Sequence, residues 1–174
     1  MKSNRAFLFR ADRGAVMVES IVAIPTLLAF FAMILQMSYL SIGSLVVQHA
    51  AVVAARSASV IVPDDPSAFD DKSKVGSGDG DRLATITHAA NFALGALQPL
   101  PLQGAINPSV TVKLMKDGAE TTDFEAEDVI QAQVSYDFKC GVLFGGNLIC
   151  GTGGIVTLTS VAAMPNQGAE YGYY

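Results

Sequence analysis

The sequence predicts an α+β protein: a long N-terminal transmembrane helix that continues into a small head, where a second helix lies on a roughly three-stranded antiparallel sheet. Three observations predict it. An uncharged apolar run near the N-terminus is long enough to cross a bilayer. An alanine-rich amphipathic stretch follows it directly. The last third of the chain alternates apolar and polar residues between turn signals. With 51% hydrophobic and 16% charged residues among 174, and a mean hydropathy of +0.39, the chain is too apolar for an ordinary soluble domain and too apolar to be disordered. A net charge of −5 excludes the basic balance of a nucleic-acid binder. Two Cys and two His make a protein-built zinc site a poor expectation.

The first element is set by charge and hydropathy. Residues 1–14 carry Lys2, Arg5, Arg10 and Arg13 against Asp12, a net +3, which leaves −8 for the rest of a chain that totals −5. The run Ile21–Leu35 has no charge, and counted from Ala15 the segment has 21 residues. As a helix it spans roughly 31 Å, about one hydrocarbon core. Positive charge before it and negative charge after it predict a single pass, with the N-terminus in the cytoplasm and the bulk of the chain outside.

Glu19 does not fit a simple anchor. A charged side chain costs roughly 2.5–3.5 kcal/mol at the centre of a membrane helix and less near the interface. Two readings stand side by side: Glu19 marks an interfacial start for a span beginning at Ile21, or it has a cationic partner at its own depth. A secretory signal is a third reading of the same residues. The QMSYLSIGS that follows the apolar run is a poor cleavage site for it.

The string Arg13-Gly14-Ala15-Val16-Met17-Val18-Glu19-Ser20-Ile21-Val22-Ala23-Ile24-Pro25 resembles the N-terminus of type IV prepilin-like proteins. In that class a basic leader ends in Gly, and a prepilin peptidase cuts on the cytoplasmic side, before the apolar helix. A Glu stands four residues beyond the new N-terminus. Gly14 matches the residue before the cut, Ala15 the new N-terminus and Glu19 the Glu. Pro25, six residues after the Glu, narrows the resemblance to TadE-like pseudopilins of the tight-adherence (Flp) pilus system. VVQHAAVVAARSASV and the closing Ala163-Met164-Pro165 are similar to theirs as well. Ser20 departs from the pattern, since the family usually has an aromatic there. The major Flp pilins are much shorter, so the length fits a minor pilin or pseudopilin. The resemblance implies four partners: prepilin peptidase, other pilin or pseudopilin subunits, an inner-membrane pilus assembly platform and the lipid bilayer. It implies the bacterial inner membrane as location, with a periplasmic head, and the extracellular fibre as a further one.

The chemistry at these positions is physical. Glycine before the cut lets the backbone enter a protease site in extended form without a Cβ clash. Cleavage leaves the apolar helix attached and creates a cationic α-amino group on Ala15. In the class it resembles, the Glu19 carboxylate neutralises the N-terminus of a neighbouring subunit. Such a pair fixes axial register, because an unpaired buried charge is costly. Pro25 has no N–H to offer the Ile21 carbonyl, so a kink or local melting is expected there. Prolines are also frequent in transmembrane helices without special use.

The helix is expected to run on to about residue 60, with Pro63 as its stop. From Ser38 to Ser59 the polar residues cluster on one face. Leu40, Val47, Ala50, Ala51, Val53, Ala54 and Ala58 form the other, suited to cover the head's sheet or to pack against another helix. Residues 63–82 read as a solvated acidic loop. Its Asp64, Asp65, Asp70, Asp71, Asp79 and Asp81 do not have calcium-loop spacing. Asp79 or Asp81 is a candidate cap for a second helix, Arg82 to Leu97, whose apolar face is Leu83, Ile86, Ala90, Ala93, Leu94 and Leu97. His88 has no ligand partner near it in sequence. Pro99 and Pro101 end that helix.

Three strands are expected: Val110–Lys116, Val129–Phe138 and Gly154–Ala163, with Asp117-Gly118 as a turn. Cys140 and Cys150 flank VLFGGNLI, and their spacing suits a hairpin with an odd loop such as Phe144-Gly145-Gly146. In an oxidising compartment they are expected to form a disulfide, the alternative being two unrelated free thiols. Three domains follow: a leader over 1–14, the N-terminal helix over 15–62 and the extracytoplasmic head over 63–174. No nucleophile elbow, zinc-protease motif, defensible carboxylate pair or cofactor fingerprint is present, so neither an enzyme nor a cofactor is expected. The residues therefore support a processed pilin-like assembly subunit. A membrane-anchored extracytoplasmic binding domain and a secreted domain freed of its signal are the alternatives.

Overall fold

The computed structural model describes residues 5–65, 69, 75–97, 110–142, 149–151 and 153–167, with side chains from Met17 onward except Ala96. The fold is α+β, as expected. Its elements are α1 (Arg5–Ile61), α2 (Gly80–Leu94) with a 3₁₀ turn Gly95–Leu97, β1 (Val110–Lys116), β2 (Ala119–Glu120), β3 (Val129–Lys139) and β4 (Ile155–Pro165). The strands form one open antiparallel sheet in the order β2-β1-β3-β4. The strand that the sequence reading missed is β2, two residues long. It pairs back on β1 across Asp117 and Gly118, whose φ values of 53° and 81° are those of a two-residue turn with both central residues left-handed.

The helices form the second layer. α1 packs on β3 and β4, and α2 packs beside α1 and over β1. The core is built from the small residues Ala50, Ala51, Ala54, Ala55 and Ala58 of α1. They meet Ile86, Ala90 and Leu94 of α2 and Ile130, Ala132, Val134, Tyr136 and Phe138 of β3. Alanine lets the helix axis approach the sheet closely. Gly43 takes this furthest: a Cβ there would stand 3.1 Å from Leu158 and 3.2 Å from Phe138. α1 runs in the same direction as β4. Gly43 meets Leu158 near the strand's start, and the Ser59 carbonyl accepts from the Gln167 N–H just past its end, at 3.4 Å.

Three local expectations are corrected. The Ser38–Ser59 polar face is not all exposed: Ser59 is buried, its hydroxyl donating to the Arg56 carbonyl at 2.9 Å. α1 stays helical through Pro25, so no melting occurs there. The β3–β4 ladder ends at Lys139↔Ile155, and the Cys140 N–H donates to the Gly154 carbonyl at 2.8 Å. Cys140 therefore faces Gly154 across the ladder, and Ile149 and Cys150 are helical, so the cysteines are not opposite each other in a hairpin. They are joined all the same, as a Cys140–Cys150 disulfide. The Phe144-Gly145-Gly146 loop, Asp70, Asp71, Pro99 and Pro101 lie outside the described residues.

Candidate functional site

The residues singled out in the sequence fall at two places. Gly14, Ala15, Glu19 and Pro25 lie on the first half of α1, and the disulfide closes the connection between β3 and β4. The first half of α1 is the one described helix long and apolar enough to cross a membrane. From Met17 to Phe31 every residue except Ala29 is exposed. Ile21 and Leu27 are each 70% exposed, and no part of the head covers this stretch. A helix apolar on all sides is stable only in lipid or against other helices.

Glu19 is the one carboxylate along Met17–Leu35. It borders a shallow groove on the helix surface lined by Val22, Ala23, Thr26, Leu27 and Phe30. Thr26 turns its hydroxyl inward, donating to the Val22 carbonyl at 2.9 Å. The helical backbone includes Gly14 and Ala15. A peptidase that takes an extended substrate must unwind that turn, and Gly14 lowers the cost of doing so.

Gln36 opens the inward half of α1. Gln36, Leu40, Gly43, Val47, Ala50, Ala54 and Ala58 recur three or four residues apart and form the stripe that faces the head. Gln36 is 1% exposed. Its Oε1 accepts from the Val142 N–H at 3.3 Å, and its Nε2 has no hydrogen-bond partner. This bond ties the disulfide-closed connection to α1 where the helix leaves the head. Glu19 is 17 residues away along the helix, about 25 Å, so the two places do not form one site.

On its outer side the inward half carries an unexpected feature. Ile42, Leu45, Val52 and Val60 are 43–65% exposed, interleaved with His49 and Arg56. Sequence reading placed the polar residues on this face and did not single out the apolar ones among them. The apolar side chains, spaced by three, seven and eight, continue the surface of the exposed first half.

Arg82 was also missed. It is 0% exposed, and it holds the end of α1 to the loop that follows. Nη1 donates to the carbonyls of Val62 at 2.6 Å and Ser77 at 3.2 Å, and Nη2 donates to that of Asp64 at 2.8 Å. Its guanidinium carbon lies 5.3 Å from the Phe69 ring centroid. Among the described residues no carboxylate forms an ion pair with it. Arg82 thus serves α1 as a C-terminal cap supplied from α2, a placement the α1 dipole favours. A signal was available: Arg82 stands four residues before Ile86, on the apolar stripe of α2.

Comparisons with protein-family models, with curated proteins and with solved structures give no match.

Proposed function

We propose that this protein is a pilin-like subunit of the TadE type, held in the bacterial inner membrane by the first half of α1 with its head outside. In this reading prepilin peptidase removes residues 1–14, cutting between Gly14 and Ala15. The mature chain then acts in the assembly of a type IV (Flp) pilus or a related secretion machine, or as a minor component of it. Its partners are other pilin or pseudopilin subunits and the assembly platform, and it needs no catalytic residue or cofactor. The observation that carries the proposal is the bare stretch of α1 from Met17 to Phe31, whose single carboxylate, Glu19, is set in a largely apolar surface. A plain anchor has no use for that charge at membrane depth. A subunit whose neighbour presents the Ala15 ammonium has one, because the pair relieves both burial costs. The exposed Ile42, Leu45, Val52 and Val60 give the same helix a further apolar contact line beyond the membrane.

N-terminal sequencing of the membrane-extracted protein tests it. A start at Ala15 is the expected result, and Gly14→Leu should abolish it by crowding the scissile bond. A start at Met1 favours the anchored binding domain, and a start beyond residue 40 favours the secreted one.

A further inference from the structure

The lower end of the head is level with Gln36, and two routes give that level. The first is the bond from the Val142 N–H to Gln36 Oε1 at 3.3 Å, which sets the Cys140–Cys150 connection beside that residue. The second is the landing of α1 on the sheet. A Cβ on Gly43 would stand 3.1 Å from Leu158, and Ile155 lies three residues before Leu158 on a strand that runs in the direction of α1. Three strand residues span about 10 Å, the rise of about seven helical residues, which leads from Gly43 back to Gln36. The end of β3, the disulfide and the start of β4 therefore form one foot at that height.

A bilayer reaches the same height. The last charges before the bare stretch of α1 are Arg13 and Glu19, 23 and 17 residues from Gln36. As helix these distances are about 35 and 25 Å. The hydrocarbon core is about 30 Å thick, and the bilayer with its headgroups about 40–45 Å. Whichever charge marks the inner boundary of the core, the foot comes out within about 5 Å of the outer boundary. Any tilt of α1 lowers it further.

The foot has the composition of such a place. From residue 140 to residue 155 the chain has no Asp, Glu, Lys, Arg or His. Ile155 is 47% exposed, and Gly141, Gly151 and Gly153 are exposed beside it. Lys139, directly before the foot, is a cation on a long apolar stem and suits phosphate headgroups. The carboxylates gather at the other end of the head. Asp64 follows α1, Asp79 caps α2, Asp117 turns β1 into β2, and Asp128 precedes β3. Among the described residues Asp137 is the exception, and its carboxylate accepts from the Thr157 hydroxyl at 2.7 Å. The head thus has an acidic pole and a neutral one, and the neutral pole is level with the bilayer surface.

We infer that this foot, with Gly141, Val142, Ile149, Cys150, Gly151 and Ile155, sits in the interfacial layer of the phospholipid bilayer, where lipid covers Ile155 and holds the head at a fixed height. The inference rests on the membrane-anchored reading of α1 and adds a second contact with the same membrane. An uncharged foot loses no hydrated charge on entering that layer, and the acidic pole stays in water.

The protein has no Trp, so a single introduced Trp is a unique reporter. Full-length variants in phospholipid nanodiscs are read by fluorescence, with bromine on the lipid either near the headgroup or near the chain end. Ile155→Trp and Gly153→Trp, the latter at a position where a Cβ meets nothing within 4 Å, should lose emission most to bromine near the headgroup. Leu28→Trp, in mid-span and 59% exposed, should lose it most to bromine near the chain end. Val161→Trp, on the same face of β4 as Ile155 and about 20 Å farther along the strand, should keep its emission. Quenching at Leu28→Trp with none at Ile155→Trp or Gly153→Trp refutes the foot and leaves the anchor. No quenching at Leu28→Trp refutes the anchor and the foot with it. Quenching at Val161→Trp equal to that at Ile155→Trp means that the head lies on its side, and this too overturns the proposal. The unaltered chain gives a second readout, independent of how any variant folds. A phospholipid with a photoreactive diazirine high on its acyl chain should label Ile149 or Ile155 and spare Val161. Labelling confined to α1 overturns the proposal, and labelling of neither overturns the anchor as well.

Discussion

The two halves of α1 share one helix and differ in the solvent they are built for. The outward half presents Ile21, Ile24, Leu27, Leu28, Phe30 and Phe31 on all sides, and the head leaves them bare. The inward half places Val47, Ala50, Ala51, Ala54, Ala55 and Ala58 on one side, all buried. Large apolar residues all round suit a surrounding of lipid or other helices, which imposes no single direction. A one-sided row of alanines suits a flat sheet, where depth of approach matters more than side-chain volume. Gln36 and Gly43 mark the change from one regime to the other.

Substitutions should separate the two halves, and the largest effect is expected at Arg82. Arg82→Ala leaves the carbonyls of Val62, Ser77 and Asp64 with fewer donors in a dry site and should destabilise the head by about 3–5 kcal/mol. Arg82→Lys, unable to span three carbonyls, should recover part of that. Denaturant unfolding of the head measures both, while the membrane-bound fraction should not change. A loss of membrane localisation would mean that the halves are not independent.

Next in size is the disulfide. Cys140→Ser with Cys150→Ser should cost about 3 kcal/mol by the loop-closure estimate. It should also weaken the Gln36–Val142 bond, read as faster exchange of the Val142 amide. Gly43→Leu should cost about 1–3 kcal/mol, because its side chain meets Leu158 and Phe138 where α1 lands on the sheet. The equivalent change in the outward half, Ala23→Leu, should not alter head stability, since Ala23 is exposed and clear of the head.

These sites also show what could be read without coordinates. Periodicity placed both helices, the three long strands and the buried alanine face of α1. Each of those depends on a regular local pattern with many residues contributing. The disulfide was expected in part from a hairpin that would set the two cysteines opposite each other, and the bond is present although that hairpin is not. β2 was too short to leave a pattern. Arg82 and Gln36 were hidden because a cation and an amide are exposed by default. Their burial depends on carbonyls of Val62 and Asp64 and an N–H of Val142, brought up from 18 or more residues away, joined by the nearer Ser77 carbonyl. The outward half of α1 was legible because a helix long and apolar enough to cross a membrane is written in composition alone.

The smallest expected effect is on pH dependence and belongs wholly to the head. Lys116 lies 2.6 Å from Asp128. Its hydrogen bond, joined by that of the Glu125 N–H, holds the Asp128 carboxyl below the ordinary 3.8. The Asp128 hydrogen bond in turn raises Lys116 above 10.5, against a smaller opposing effect of desolvation. A depressed carboxylate adds stability that is present above its unfolded value and is lost as pH falls through the folded one. A raised lysine adds stability that is present below 10.5 and is lost as pH climbs through its folded value. The pair is solvated, so a shallow plateau between those limits is expected. Asp128→Asn should flatten both ends, which a pH series of head stability checks. An unchanged profile would remove the pair from the account.

The most direct test of the central claim is Glu19→Ala in cells, read as co-purification with other pilus subunits and as counts of surface fibres. Removing a polar group from the outward half should leave membrane insertion and Gly14–Ala15 processing intact. Assembly should fail, because the neighbour's Ala15 ammonium is left unpaired at membrane depth. Glu19→Gln, which keeps the shape and loses the charge, should be nearly as defective. Normal co-purification and normal fibres with membrane-localised Glu19→Ala would contradict the account and leave an anchored extracytoplasmic domain in its place.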